Sequence, residues 1–285
     1  MNGTQKFNDK LVLISGAGSG IGLELAKEFA RCNARVIGTD IDPARVDAMV
    51  NMLTQMKCNA KGYVVDHSKH EQVDALFNAI TAEFGTIDIL CPNAGVGHAG
   101  KIGSIPQEEW EWVINVNVWG VLHMVNKFIP SMMQRKSGWV LLTASGSAIL
   151  PSAGMGPYNL SKFAVLGLGE TMYMELKLVG IDVSILCPGV IATNIISDGI
   201  VHGTLNKQRA EQIYAQGSAK SVHPALVAKA AVAGLAAGKP LILSPLKHMI
   251  AGEILKRCSR KLFLNLGARL FKRGSNFVGP VVGDE

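Results

Sequence analysis

The chain has 285 residues, 48% hydrophobic and 18% charged, with 31 glycines; this composition excludes a disordered polypeptide and is long enough to bury a substantial core. Five scattered cysteines (Cys32, Cys58, Cys91, Cys187, Cys258) with no C-x-x-C pair argue against a disulfide scaffold and for a reducing, cytoplasmic setting. The net charge is +6, yet the stretch from Leu246 to Arg273 alone carries +7, so the remainder is nearly neutral and a basic nucleic-acid-binding face is disfavoured.

The first ten residues, MNGTQKFNDK, hold no apolar signal core, and no run approaches the ~18 apolar residues of a membrane span, so neither a secretion signal nor a span is expected. KLVLISG (10–16) reads as a buried strand ending in glycine, GIGLELAKEFARCN (20–33) as a helix, ARVIGTD (34–40) as a second strand. PARVDAMVNMLTQM (43–56) is helical, AKGYVVD (60–66) a third strand, HEQVDALFNAITAEFG (70–85) a helix. His67 and His70 lie in a polar HSKH loop with no cysteine nearby, so no metal site is expected. IDILCPNAG (87–95) is a strand running into a loop, and residues 108–136 form one long helix. GWVLLTAS (138–145), a long helix over 157–180, IDVSILCPG (181–189), PALVAKAAVAGLAAG (224–238) and KPLILSP (239–245) continue the alternation. Strict strand–helix alternation with apolar strands implies an α/β fold: a single doubly wound parallel sheet of about seven strands with helices on both faces and ligands at the strands' carboxyl ends. We expect one domain over 1–245 and a basic helical extension over 246–285.

Gly16, Gly20 and Gly22, with Ser19 and Ile21 between them, fall between the first strand and the first helix. Glycines at this spacing allow a tight turn and let backbone N–H groups approach a pyrophosphate at a helix N-terminus, which points to a dinucleotide. Asp40 ends the second strand, where a carboxylate accepts ribose hydroxyls and repels a 2′-phosphate; with no Arg or Lys in the 15–22 loop, NAD is favoured over NADP. Asp66 and His67 join the expected cofactor contacts at the end of the third strand; Asp66 either bonds the adenine amino group or is simply a loop aspartate.

Tyr158 and Lys162 stand four apart on a helix, so their side chains share a face. A free phenol titrates near ~10, and a neighbouring ammonium with an oxidised nicotinamide stabilises the phenolate, so the pair suits proton transfer at neutral pH. Ser145 follows a strand at the same edge of the sheet, placed to hold a substrate oxygen.

Taken in order, these motifs resemble the short-chain dehydrogenase/reductase family, whose common NAD(P)-dependent subgroup has a Rossmann-type fold. SGAGSGIG (15–22) resembles its T-G-x3-G-x-G, with Ser15 for the usual Thr, and PNAG (92–95) its N-N-A-G, with Pro92 for the first Asn. NVWG carries Asn117 at the family's helix asparagine, and PGVIAT (188–193) resembles the stretch that holds the nicotinamide carboxamide. The resemblance implies Tyr158 as general acid/base, Lys162 as its activator and ribose ligand, Ser145 as substrate orienter and Asn117 as anchor of a relay water. It implies pro-S hydride transfer and adds Asn93, Ala94, Gly95, Pro188, Gly189, Ile191 and Thr193 to the cofactor contacts. Pro92 removes one donor, so a local rearrangement of that loop is expected.

The segment 194–221 corresponds to the family's substrate lid, and it opens on Ile195, Ile196 and Ile200. With Val96, Ser147, Ile149, Leu150 and Met155 it outlines a pocket for a hydrophobic steroid-, retinoid- or fatty-chain-like alcohol or ketone; the same apolar residues also suit ordinary core. In the extension, Leu246, Met249, Ile250, Ile254, Leu255 and Cys258 share one helical face among basic residues. Such a helix either packs on protein, the reading we favour, or lies on an anionic membrane. The tail departs from the glycine-rich ending of tetrameric relatives, so a homodimer is expected rather than the usual tetramer. The readings set against this one are a catalytically silent dinucleotide-binding regulator and a membrane-surface lipid reductase.

Overall fold

The computed structural model describes residues 3–189, 191, 195, 198–202, 222–244, 250, 254 and 256–273. A 3-10 turn, Gly3–Phe7, leads into β1 (Leu11–Ser15), α1 (Gly20–Arg31), β2 (Arg35–Asp40), α2 (Pro43–Gln55), β3 (Ala60–Val64), α3 (His70–Phe84) and β4 (Ile89–Cys91). Then come β5 (His98–Ala99), α4 (Gln107–Ile114), α5 (Gly120–Arg135), β6 (Gly138–Thr143), α6 (Gly156–Lys177), β7 (Ile181–Pro188) and β8 (Ile200–Val201). The described chain continues with α7 (Pro224–Ala236), β9 (Leu241–Ser244) and α8 (Arg260–Arg273).

Seven strands pair in parallel in the order β3-β2-β1-β4-β6-β7-β9. The order reverses between β1 and β4, which opens a crevice at their carboxyl ends. This is the doubly wound sheet that the alternation of elements implied.

Successive side chains of a strand point to opposite faces, and β1 shows the consequence. Leu11 and Leu13 enter one core with Leu76, Ile80, Phe128, Val165 and Met172 of α3, α5 and α6. Val12 and Ile14 enter the other with Leu25, Phe29, Val227, Ala231 and Leu235 of α1 and α7. Both faces are covered, so the strand needs no polar position, and each buried aliphatic contributes roughly 1.5–3 kcal/mol.

Three features differ from the sequence reading. The helix expected over 108–136 is α4 and α5 joined by a π-helical turn, Asn115–Trp119, with Asn117 buried inside it. Phe7, from a segment without periodicity, is fully buried and meets Phe29 and Trp139 edge-on at 5.5 and 5.6 Å. A second sheet pairs β5 with β8; strands of two residues are too short to leave a pattern. In the extension, Ile250 and Ile254 are 41% and 56% exposed and Cys258 is exposed. Leu246, Met249 and Leu255 lie outside the described residues, as does most of 194–221. Among the described residues no helix is long and apolar enough to cross a membrane.

Candidate active site

The crevice is built from the end of β1. Ser15 Oγ accepts hydrogen bonds from the Asn93 and Ala94 N–H groups at 2.9 and 3.0 Å, which stitches the β1 turn to the loop after β4. Gly16 follows with φ +63°, and a Cβ there would lie 2.9 Å from the Ala94 Cα, so the turn admits only glycine without strain. Gly22 acts behind the wall: a Cβ would collide with the Gly16 carbonyl oxygen and stand 2.6 Å from Asn93 Nδ2. Its bareness lets α1 approach the turn, so Ser19, Gly20 and Ile21 line the cavity. The first N–H groups of a helix have no intrahelical partners and favour an anion.

The cavity has a volume of about 1310 Å³, above the roughly 300–1,000 Å³ typical of one small ligand. Asp40 is buried on its wall, its carboxylate accepting the Gly18 N–H at 3.1 Å and the Asp42 N–H at 3.2 Å. Asp66 lines the cavity and accepts from the Ser68 N–H and hydroxyl at 2.9 and 2.7 Å. His67 beside it is buried, its Nε2 2.6 Å from Thr39 Oγ, and burial pushes the imidazole down to about 4, so it is neutral at pH 7. Among the described residues its buried Nδ1 has no partner, which leaves a spare polar atom in the wall. Bare glycines, a helix N-terminus, a carboxylate and that orphaned nitrogen are groups a dinucleotide fits.

Ser145 stands just past β6, lines the cavity and accepts the Ser147 N–H at 3.1 Å. Tyr158 lies in the first turn of α6, with Lys162 one turn on; the lysine Nζ is 5.7 Å from the phenol ring centroid and donates to the Thr143 carbonyl at 3.2 Å. Burial pushes the Lys162 amine down to about 8, which leaves it largely protonated at neutral pH. Asn117 does not line the cavity. Its Oδ1 accepts the Val96 N–H at 2.7 Å, and its Nδ2 donates to the Val96 carbonyl at 2.9 Å and to Ser161 Oγ at 3.0 Å. It thereby clamps the loop after β4 against α6, with both amide hydrogens engaged. A Cβ at Gly95 would lie 3.1 Å from Asn117 Oδ1 and 3.2 Å from Lys162 Nζ.

Asn93, Ala94, Gly95, Pro188, Gly189 and Ile191 line the same cavity, as do Val96, Ser147, Leu150, Met155 and Ile195. Ile149 does not: it is 5% exposed and packs in the core with Val165 and Leu176. Its side chain follows the opposite face of the turn after Ser145, a direction that its apolar character alone does not reveal. Thr193 and Ile196 lie outside the described residues.

Several wall residues carry no sequence motif. Glu108, Glu111 and Trp112 of α4 line the cavity, with Lys69 and Arg45. Arg45 forms a two-pronged ion pair with Asp198, 2.7 and 3.0 Å, that joins α2 to the segment after β7. Glu109 holds β5 and β8 together, its carboxylate meeting His98 Nε2 at 2.7 Å and His202 Nδ1 at 3.0 Å. These contacts span 153 and 93 residues of chain for Arg45–Asp198 and Glu109–His202, so local spacing could not signal them.

A family model described as short chain dehydrogenase matches residues 10–199. The probable oxidoreductase EphD of Mycobacterium tuberculosis is 34% identical over 241 residues, 82% of this chain; the match spans 41% of that protein's length. The uncharacterized oxidoreductase YxjF of Bacillus subtilis is 32% identical over 187 residues, 66% of this chain and 73% of its own. A short-chain dehydrogenase/reductase from Burkholderia phymatum, solved in complex with NAD, superposes with a TM-score of 0.83 at 29% identity, covering 90% of this chain and 95% of that one. The 3-ketoacyl-(acyl-carrier-protein) reductase from Brucella melitensis, complexed with NADH, gives 0.72 at 28% identity, covering 83% and 96%. A match running from the first strand past the last strand of the crevice settles the ancestry: the chain belongs to the short-chain dehydrogenase/reductase family of oxidoreductases.

Proposed function

We propose that the protein is an NAD-dependent oxidoreductase interconverting a neutral, largely apolar secondary alcohol and its ketone. The observation that carries this reading is that Ser145, Tyr158 and Lys162 share the wall of one cavity with the glycine turn and Asp40. The N-terminus of α1 holds the pyrophosphate, and the Asp40 carboxylate accepts the adenosine ribose hydroxyls and repels a 2′-phosphate. Arg45, already held by Asp198 and Asp42, is not free to offset that repulsion. Bound nicotinamide dinucleotide supplies the hydride acceptor or donor.

The chain's own residues manage the proton. Ser145 orients the substrate oxygen, the Tyr158 phenolate takes the alcohol proton in oxidation, and the Tyr158 phenol gives its proton to the ketone oxygen in reduction. The Lys162 ammonium stabilises the phenolate. Asn117 keeps Gly95 and Val96 seated beside that pair.

Val96, Trp112, Leu150, Met155 and Ile195 favour an apolar substrate, while the carboxylates of Glu108 and Glu111 disfavour an anionic one. The exposed Trp119, Leu160, Phe163 and Met174 on the π-helical turn and α6 support a homodimer through the two long helices.

Steady-state kinetics with NAD and NADP over neutral apolar alcohols, polyols and hydroxy acids tests the reading. The expected result is NAD-linked turnover of the apolar class, with Tyr158→Phe lowering kcat by about 10²–10⁴-fold and leaving NAD affinity nearly unchanged. Turnover confined to polyols, or a Tyr158→Phe enzyme as fast as the parent, overturns it.

A further inference from the structure

The dehydrogenase reading leaves α8 unused. Its sequence, RKLFLNLGARLFKR, contains five cations and no acidic residue. At about 100° per residue, Phe263, Leu264, Leu266, Gly267 and Ala268 fall on one side together with Arg260, and Lys261, Leu262, Asn265 and Arg269 on the other. Among the described residues, Leu264 and Leu266 of that apolar side stay 56% and 44% exposed.

We propose that α8 docks the protein on the surface of an anionic lipid bilayer. A second copy of the helix is a poor occupant, since it would bring five like charges against five. An anionic bilayer accepts both sides at once: acyl chains take the leucines and phenylalanines, and lipid phosphates attract the flanking Lys and Arg. Fourteen residues of low overall hydrophobicity lie in the interface and do not cross it.

The extension is also tied to the site. Lys256 Nζ donates to the Ile149 carbonyl at 2.8 Å and sits 5.1 Å from the Phe163 ring centroid. Ile149 opens the loop whose Leu150, Ser152 and Met155 line the cavity, and α8 begins four residues after Lys256. A docked α8 therefore holds lipid beside the cavity's apolar wall. That last consequence rests on the apolar-substrate reading; the docking does not.

Co-sedimentation of the full chain with phosphatidylglycerol–phosphatidylcholine vesicles, and with pure phosphatidylcholine vesicles, tests the proposal. The expected result is binding to the anionic vesicles only, weakened by added salt. Each basic residue at the surface is worth about fivefold in partitioning, so Lys261→Glu/Arg269→Glu should lower the partition coefficient at least about twentyfold. Leu264→Ser/Leu266→Ser should lower it about tenfold or more. Both variants replace exposed side chains, and unchanged melting and NAD affinity will show that the fold is intact. A full chain that stays in the supernatant, or binds both vesicle types equally, overturns the proposal. So does self-association that the leucine variant abolishes while vesicles bind nothing.

Discussion

Lys162 is buried with its amine against the Thr143 carbonyl, and burial pushes that amine down to about 8 from 10.5. The folded value lies below the unfolded one, so between pH 8 and 10.5 the unfolded chain binds more protons and stability rises with pH. Below pH 8 the charged amine costs the fold on the order of 3 kcal/mol. Lys162→Met removes this dependence. Urea unfolding at pH 7 and 10 should show the parent gaining on the variant by that order as pH rises; a constant difference would refute the assignment. The thiol of Cys187, pushed up to about 12 by burial, is present in both proteins and largely drops out of the comparison. The four-residue spacing of Tyr158 and Lys162 was legible in the sequence because helix geometry is local. The burial that tunes the lysine was not, because it comes from chains folded over it.

At the scale of elements, the approach of α1 to the β1 turn depends on Gly22, which never lines the cavity. Gly22→Ala drives a methyl into the Gly16 carbonyl, so α1 must move away from the pyrophosphate site. We expect NAD to bind at least about tenfold more weakly and the fold to lose about 1–3 kcal/mol, read by fluorescence titration and thermal melting. An alanine variant with parental affinity would show that the helix has room. The glycine spacing announced a cradle, but it could not separate the glycine that lines the site from the one that supports it. Asn117 teaches the same lesson. Its place in the motif was readable, whereas the π-helical turn around it and its grip on Val96 depend on a loop 21 residues earlier in the chain.

For the whole molecule, the Arg45–Asp198 pair bridges α2 and the segment after β7 over the rim of one cavity. Its side chains are 33% and 37% exposed, so solvent limits it to about 1 kcal/mol or less. Asp198→Ala should therefore speed NADH dissociation by at most about fivefold in stopped-flow measurements, and high salt should erase the difference. An unchanged rate at low salt would exclude a gating role.

The order of strands and helices, the glycine turn, Asp40 and the Ser145, Tyr158 and Lys162 set all follow from local pattern, because periodicity, turn chemistry and helix spacing act over a few residues. Which face of the turn Ile149 takes, how Phe7 closes the second core, and which carboxylate meets Arg45 are settled only when the sheet brings distant segments together. Side-chain direction and burial depend on neighbours contributed by the rest of the chain, and no stretch of sequence carries its neighbours with it.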